Sequence, residues 1–310
     1  MGIRFEHSGV HCYDRRSGIH VLLDEVAVAP NAVSVGPRTL SIAVTDSCDF
    51  RCLHCHVKKG IQFLSVDAIM DACRVCESLG TLDVALGGGE PTLHPEFVTI
   101  CRRLWAETQL GVSVTTHGHH LTESLVGAIR ESVSFVRVSI DGVEPTYSRL
   151  RGRALGSLLE RLSLLRGMIP FGINTVVCTE TLHSLDEVLK LASDLGAEEL
   201  LLLPVVIDGL PRLSEDQWKL LNGWIRDNQK SIALRVGTYA RPFLEGPFLF
   251  ADPQWEQDYA YLATDGTLRE SSYSAIGVRL SDYRSIEEGI LAWRRDMKKQ
   301  GHFNKSLDAV

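Results

Sequence analysis

The sequence predicts an α/β protein built on a partial (β/α)6 TIM-like barrel, with a β-hairpin before the barrel and a small α+β extension after it. From residue 39 onward, six short apolar segments alternate with six amphipathic helical segments, and several of the apolar segments are continuous runs. Continuous apolar runs are typical of parallel strands that are covered on both faces. Serial βα units form a parallel sheet with helices outside it, and six units rather than eight leave a barrel with a lateral opening.

The alternation assigns the elements of the barrel in order. The six predicted strands are Leu40–Thr45, Asp83–Leu86, Val112–Thr116, Phe135–Ile140, Ile173–Cys178 and Leu200–Val206. The six predicted helices are Val66–Leu79, Glu96–Glu107, Thr122–Glu131, Ser157–Arg166, Leu185–Leu195 and Glu215–Asp227. Catalytic groups in such folds lie at the carboxyl ends of the strands, so we expect the functional site on that rim.

A separate segment, residues 1–38, precedes the predicted barrel domain of residues 39–235. Two strand-like runs, Val10–Asp14 and Ile19–Leu23, flank the turn-like residues Arg15–Gly18. Such a pattern predicts a β-hairpin.

Composition limits the classes of partner. The chain has 310 residues, 45% of them hydrophobic, and a formal net charge of −7. This charge argues against nucleic acid or an acidic membrane surface as a partner. No apolar run approaches the roughly 20 residues that cross a bilayer, and the N-terminus lacks the apolar core of a signal peptide. The eight cysteines are clustered rather than dispersed, which favours a reducing cytoplasm over a disulfide framework.

The loop after the first predicted strand carries three cysteines, Cys48, Cys52 and Cys55. Three thiolates on one short loop can hold three corners of an iron–sulfur cluster and leave the fourth iron open to a small ligand, whereas four-cysteine sites fill every position. The same thiolates could also bind zinc, with His54 or His56 as the fourth ligand. The polar character of the loop argues against three unligated, buried cysteines. From this loop alone, iron–sulfur is favoured and zinc stays open.

The next three predicted strands also end in polar or glycine-rich turns. These turns are Gly87–Glu90, Thr116–Gly118 and Asp141–Gly142. Because parallel strands end at one edge of the sheet, we expect four such turns to converge on one rim. Their convergence indicates a ligand site more strongly than any one motif does.

Taken together, these motifs resemble those of the radical S-adenosylmethionine (radical SAM) superfamily. The resemblance rests on the three cysteines, on Gly88–Pro91 after the second strand and on Ser139–Gly142 at the fourth. The run Thr115–Gly118 is similar to the family's Thr-Asn-Gly run, with His117 in place of Asn, and His54 stands where the family often has an aromatic residue. The resemblance covers about residues 39–207, and it makes zinc a minor alternative.

The resemblance implies one [4Fe–4S] cluster held by Cys48, Cys52 and Cys55, with S-adenosylmethionine chelating the open iron. A donor such as flavodoxin or ferredoxin would supply an electron, and cleavage of the sulfonium would give a 5′-deoxyadenosyl radical that abstracts a substrate hydrogen. The residues implied in cofactor binding are Glu90 for the ammonium, Gly88 and Gly89 for the shape of the pocket, and Ser139 and Arg151 for the carboxylate. An arginine fork suits a carboxylate, although Arg151 could instead belong to a solvated cluster with Arg149 and Arg153.

The other cysteines have a simpler interpretation. Cys73, Cys76 and Cys101 continue apolar helical stripes, which favours core positions. Cys178 ends a strand on the expected rim. Burial is the favoured reading for its side chain, and hydrogen donation to a substrate radical is the alternative.

Residues 236–310 are similar to the SPASM or twitch extension of radical SAM maturases. They contain a hairpin signal about Asp265–Gly266 and a predicted helix near Ile286–Met297, but no cysteine follows Cys178. Ser271 and Ser272 stand where an auxiliary ligand would be expected. The sequence therefore predicts one cluster and gives weight to redox-neutral reactions. A ribosomally made peptide is the leading substrate, a small metabolite is the alternative, and a non-catalytic sensor or scaffold is a third reading.

Overall fold

The structure is a computed structural model that describes residues 1–207, 210–244 and 259–300. Its strands are β1 (Gly2–Glu6), β2 (Gly9–Asp14), β3 (Ile19–Leu23), β4 (Thr39–Thr45), β5 (Asp83–Gly88), β6 (Gly111–Thr116), β7 (Phe135–Ser139), β8 (Phe171–Val177), β9 (Glu199–Pro204), β10 (Val206–Ile207), β11 (Leu210–Pro211), β12 (Ala233–Val236), β13 (Tyr259–Leu262), β14 (Thr267–Arg269) and β15 (Gly277–Arg279). Its α-helices are α1 (Val66–Ser78), α2 (Phe97–Glu107), α3 (Glu123–Ile129), α4 (Thr146–Arg151), α5 (Leu155–Leu162), α6 (Thr179–Leu182), α7 (Leu185–Leu195), α8 (Glu215–Asn228) and α9 (Ile286–Gln300). The predicted βα order is confirmed, with boundaries that differ by a few residues.

The main sheet has ten strands in the order β12-β9-β8-β7-β6-β5-β4-β13-β14-β15. The first eight of these are parallel to their neighbours, and β14 and β15 complete an antiparallel edge. The open barrel class is confirmed, but its wall has two more parallel strands than the six predicted. One is β12, and the other is β13, which pairs with β4 as well as forming the predicted hairpin with β14.

The C-terminal extension is thus joined to the barrel through the pairing of β13 with β4. The predicted domain limits at residues 38 and 235 stay predictions, and residues 245–258 and 301–310, which include the polar tail, lie outside the described residues. Within the described part of the chain, no helix has both the length and the apolar character needed to cross a membrane.

The helices bury their apolar stripes against the sheet. Cys73, Cys76 and Cys101 are at most 1% exposed in that core, as predicted. Burial raises the pKa of both Cys76 and Cys101 to about 12, so these thiols stay protonated and serve as packing groups.

The N-terminal segment is a three-stranded antiparallel sheet, β1-β2-β3, rather than the two-stranded hairpin predicted. Its polar side chains face inward: Arg4, Glu6 and His11 are buried, whereas Ile3 and Phe5 are exposed. The sheet covers the amino ends of the barrel strands. At Gly111, the first residue of β6, an added Cβ would lie 2.3 Å from the Tyr13 hydroxyl. The polar inner face therefore forms the floor of the barrel lumen.

Candidate functional site

A cavity of about 1090 Å³ occupies the barrel lumen. At the carboxyl rim its wall includes the nine residues Cys48, Cys52, Cys55, Gly87, Gly88, Gly89, Glu90, Ser139 and Arg151. All of these except Gly87 were predicted as site residues. One cavity is therefore lined by eight of the nine predicted site residues. The ninth, Cys178, is not among the residues that line the cavity in the described part of the chain.

The three rim cysteines are free thiols on the loop that leaves β4. Cys48 and Cys52 are half-buried and Cys55 is exposed. Burial raises the pKa of Cys48 and of Cys52, and nearby positive charge works against that rise: Lys59 acts on both thiols and Arg151 on Cys52. The three cysteines are soft metal ligands, and the positive charges near them stabilise the thiolate form that binds a metal.

The glycine turn after β5 holds the cysteine loop by main-chain hydrogen bonds. The Gly89 amide donates to the Thr45 carbonyl at 2.7 Å, and the Glu90 amide donates to the Ser47 carbonyl at 2.7 Å. Gly88 has φ +116°, and a Cβ at Gly89 would lie 2.1 Å from the Ser47 oxygen. The glycines are therefore required by the close approach of two loops, which fixes the position of the cysteines.

Glu90 is 1% exposed, and its carboxylate already has protein donors. Oε1 accepts from the hydroxyls of Thr92 at 2.6 Å and Thr116 at 2.7 Å. Oε2 accepts from the His117 amide at 2.9 Å. The carboxylate thus ties two rim turns together, and its predicted contact with a cofactor ammonium stays a prediction.

Asp141, whose turn was expected on the rim, is a buried anion that was not predicted as a site residue. Its Oδ2 accepts from Arg151 Nη2 at 2.6 Å and from His54 Nε2 at 2.9 Å, and Oδ1 accepts from the Val176 amide at 2.7 Å. Burial acts to raise the pKa of Asp141, but Arg151 and His54 hold it below its usual value. The Ser139–Gly142 motif was the only signal in the sequence for this role.

Arg151 is only 9% exposed, so the alternative that placed it in a solvated arginine cluster is wrong. Its Nε and Nη2 serve Asp141, and Nη1 donates to Cys52 Sγ at 3.9 Å. Arg149, two residues earlier, is exposed and pairs with Glu180 at 2.6 Å. Arg151 therefore directs the Nη1 edge of its guanidinium, which does not contact Asp141, to Cys52 of the cysteine loop and to the lumen.

His117, which stands in place of the usual Asn, contacts the cysteine loop. Its Nδ1 accepts from the His119 amide at 3.1 Å, so Nε2 carries the proton and donates to Asp49 at 3.0 Å. Its ring stacks on Phe50 at 4.0 Å. Ligand atoms of Cys48, Asp49 and His117 lie within 4.8 Å of one another. Asp49 and His117 were not predicted as site residues, since their meeting depends on two loops far apart in sequence.

The histidines of the zinc alternative have other partners. His54 donates to Asp141, and His56 Nε2 lies 3.0 Å from Ser272 Oγ with its ring 4.1 Å from that of Tyr273. Ser271 and Ser272, the residues at the expected auxiliary position, line the lumen. The C-terminal hairpin region therefore borders the cysteine loop with hydroxyl groups.

Cys178 lies at the start of α6, where its sulfur accepts from the Thr181 hydroxyl at 3.6 Å. The thiol is half-buried and caps the helix. Its role as a hydrogen donor stays a prediction, one that this position does not favour.

Comparisons with known proteins give the family of the domain. Residues 42–192 match the model of the Radical SAM superfamily. The chain is 31% identical over 189 residues to a protein named probable GTP 3′,8-cyclase from Saccharolobus solfataricus, covering 56% of this chain and 59% of that relative. It is 30% identical over 175 residues to a protein named AdoMet-dependent heme synthase from Methanosarcina barkeri, covering 54% of this chain and 50% of the relative. The chain therefore spans less than two thirds of the length of these relatives.

Two solved structures share the fold. Streptococcus suis SuiB bound to the precursor peptide SuiA matches with a TM-score of 0.72 at 12% identity, covering 94% of this chain and 89% of SuiB. The structure of native anSMEcpe with bound AdoMet matches with a TM-score of 0.63 at 17% identity, covering 86% of this chain and 82% of anSMEcpe. At these identities, the two structures show a shared fold with this chain.

Proposed function

We propose that this chain, which carries a radical SAM domain over residues 42–192, is an enzyme that cleaves S-adenosylmethionine reductively and abstracts a hydrogen atom from its substrate. The observation that carries the proposal is the set of three free cysteines on one rim loop, facing the lumen beside the glycine turn. A reducing donor such as flavodoxin or ferredoxin would deliver the electron.

The residues of the rim fit the cofactors. Cys48, Cys52 and Cys55 would hold one [4Fe–4S] cluster, which is consistent with three soft ligands and two nearby cations. When bound, the cluster supplies the electron that breaks the sulfonium bond, and the 5′-deoxyadenosyl group supplies the radical. No cysteine follows residue 178 in the sequence, so we propose a single cluster and a reaction that does not depend on a second one.

The remaining rim residues would position these groups. Gly88 and Gly89 keep the cysteine loop against β5, and Asp141 fixes the orientation of Arg151. Arg151, with the Nη1 edge that Asp141 does not engage, and Ser139, the last residue of β7, both line the lumen and suit the carboxylate of the cofactor. Glu90 would contribute by holding together the two rim turns that its carboxylate connects.

A ribosomally made peptide is the substrate that we propose first. Strand β3 pairs with β2 only, within the described sheet, so its other edge offers unpaired main-chain groups. Its side chains Ile19, Val21 and Leu23 are exposed, at 58%, 47% and 40%. An extended peptide can add to such an edge through main-chain hydrogen bonds, with apolar contacts alongside it.

A small metabolite is the second candidate, and the lumen favours it. The cavity reaches from the cysteines to Arg38, Asp83 and Arg235 at the amino ends of the strands, where it could enclose a small charged molecule. The curated relatives are named for a nucleotide cyclase and a heme synthase. A non-catalytic sensor or scaffold is the remaining reading.

Cleavage of the cofactor tests the proposal directly. Anaerobically reconstituted and reduced protein should convert S-adenosylmethionine to 5′-deoxyadenosine. If the cluster is intact but this product does not form, the proposal of an enzyme is wrong and a sensor is favoured.

A Val21→Glu variant distinguishes the peptide substrate from the small metabolite: modification of a peptide encoded beside the gene should fall while cofactor cleavage persists. Unchanged peptide modification would remove β3 from the proposal.

A further inference from the structure

The cysteine loop contains a buried cation, Lys59, that has no role in the proposed function. Lys59 follows Cys55 by four residues and lines the lumen together with the three cysteines. Its Nζ is buried and has no hydrogen-bond partner among the described residues. A buried ammonium without a partner is costly. The position therefore indicates that an anion occupies the adjacent space when the site is loaded.

The groups around Lys59 indicate which anion this is. Lys59 lines the same cavity as the thiols of Cys48 and Cys52, and its charge acts on both of them. A second cation next to these thiols, Arg151 at the end of α4, already has its own counter-charge in Asp141. Lys59 is thus a cation of the cysteine loop whose buried ammonium has no carboxylate partner among the described residues.

We propose that Lys59 is a positioning residue whose ammonium compensates the negative charge of the iron–thiolate centre and raises its reduction potential. This inference rests on the proposed function, because it needs a cluster on Cys48, Cys52 and Cys55. Three thiolates give the centre negative charge, and net charge and hydrogen bonds to sulfur set the potential of such clusters. A fixed cation in a partly buried site favours the added electron.

Potentiometric titration of the reconstituted cluster, followed by electron paramagnetic resonance without S-adenosylmethionine, tests the inference. Lys59→Met keeps the aliphatic length without the charge, and Lys59→Arg keeps the charge. Lys58→Met is the matched control, because Lys58 is the exposed neighbour. We expect the potential of K59M to shift in the negative direction, with K59R and K58M close to wild type. A K59M potential equal to wild type would overturn the inference.

Two further outcomes are informative. If K59M binds no iron but unfolds at the wild-type temperature, K59R decides: iron retained by K59R supports the need for charge, and iron lost from both contradicts it. If K59M leaves the potential unchanged and weakens S-adenosylmethionine binding, the ammonium serves the cofactor carboxylate and the inference is wrong. Absence of a cluster in the wild type itself would instead overturn the proposed function, and this inference with it.

Discussion

His54 Nε2 lies 2.9 Å from Asp141 Oδ2, so a side chain inside the cysteine loop is tied to the turn that follows β7. The same oxygen receives Arg151 at 2.6 Å. A fully buried carboxylate therefore holds two sides of the rim together: the loop that carries the thiols and the guanidinium that faces Cys52. Asp141 positions the site although it is not itself a predicted ligand.

Asp141→Asn should destabilise the fold and loosen the rim. The substitution keeps the shape of the side chain but leaves the buried Arg151 guanidinium without a counter-charge, and loss of one member of a buried pair costs about 3–5 kcal/mol. Urea unfolding measures this loss. Asp194→Asn is the control, since Asp194 and its partner Lys190 are 61% and 75% exposed. Its effect should stay below about 1 kcal/mol. Equal effects of the two variants would contradict the role of Asp141.

Cys52→Ala should abolish cluster assembly and cofactor cleavage, because two thiolates hold the cluster poorly. Iron analysis of the reconstituted wild type should give about four iron atoms per chain, and the variant should give almost none. About eight iron atoms in the wild type would reveal a second centre. Retained turnover by the variant would show that the ligand set is wrong.

Gly89→Ala should displace the cysteine loop. Its Cβ would lie 2.1 Å from the Ser47 carbonyl oxygen, so the backbone of one loop must move. We expect a loss of about 1–3 kcal/mol in stability and weaker S-adenosylmethionine binding, measured by calorimetry. Gly127→Ala in α3 is the control: its Cβ would meet no atom within 4 Å. That variant should gain about 1 kcal/mol from helix propensity. Normal cofactor affinity in G89A would contradict the account of the glycine turn.

Cys178→Ala should leave both cofactor cleavage and product formation close to wild type, because the thiol caps α6 and does not line the lumen. Quantifying 5′-deoxyadenosine and product in the same reaction checks this. If product falls while cleavage persists, Cys178 is the hydrogen donor after all.

The barrel was predictable because its signal is local. Each βα unit is indicated by an apolar strand segment followed by an amphipathic helical segment, and each of the three rim motifs follows directly after its strand. The pairing of β13 with β4 was not predictable, because it joins segments at opposite ends of the barrel sequence. Strand β12 was missed since its four residues show neither a continuous apolar run nor a buried face.

The site divides in the same way. The cysteines, glycines and Arg151 stand in recognisable motifs, so their convergence followed from strand order. Lys59 and Asp49 stand next to motifs but acquire a role only through burial and through contacts with other loops. The inner face of the N-terminal sheet was hidden for a related reason. Its alternation of Ile3-Arg4-Phe5-Glu6 looks like an ordinary surface strand, but the polar side is the buried one.

That polar floor gives a pH prediction with two opposing parts. Burial lowers the pKa of His20 to about 4, and burial raises the pKa of Asp83 to about 6. The folded state resists protonation of His20, whose pKa is near 6.5 when unfolded, so this group costs stability as pH falls from 6.5 to 4. The folded state retains the proton on Asp83, whose unfolded pKa is near 3.8, so this group costs stability as pH rises from about 4 to 6.

The two groups should therefore largely offset each other between pH 4.5 and 6.5, and single variants should separate them. Asp83→Asn removes the contribution to stability that increases as the pH falls. The stability of this variant should therefore fall more steeply than that of the wild type as pH drops from 6.5 to 4.5. His20→Gln removes the other part, so its stability should fall less or increase. Each shift of about two pKa units corresponds to at most about 3 kcal/mol, which urea unfolding at three pH values resolves. Parallel curves for the two variants and the wild type would show that neither group titrates abnormally in the floor.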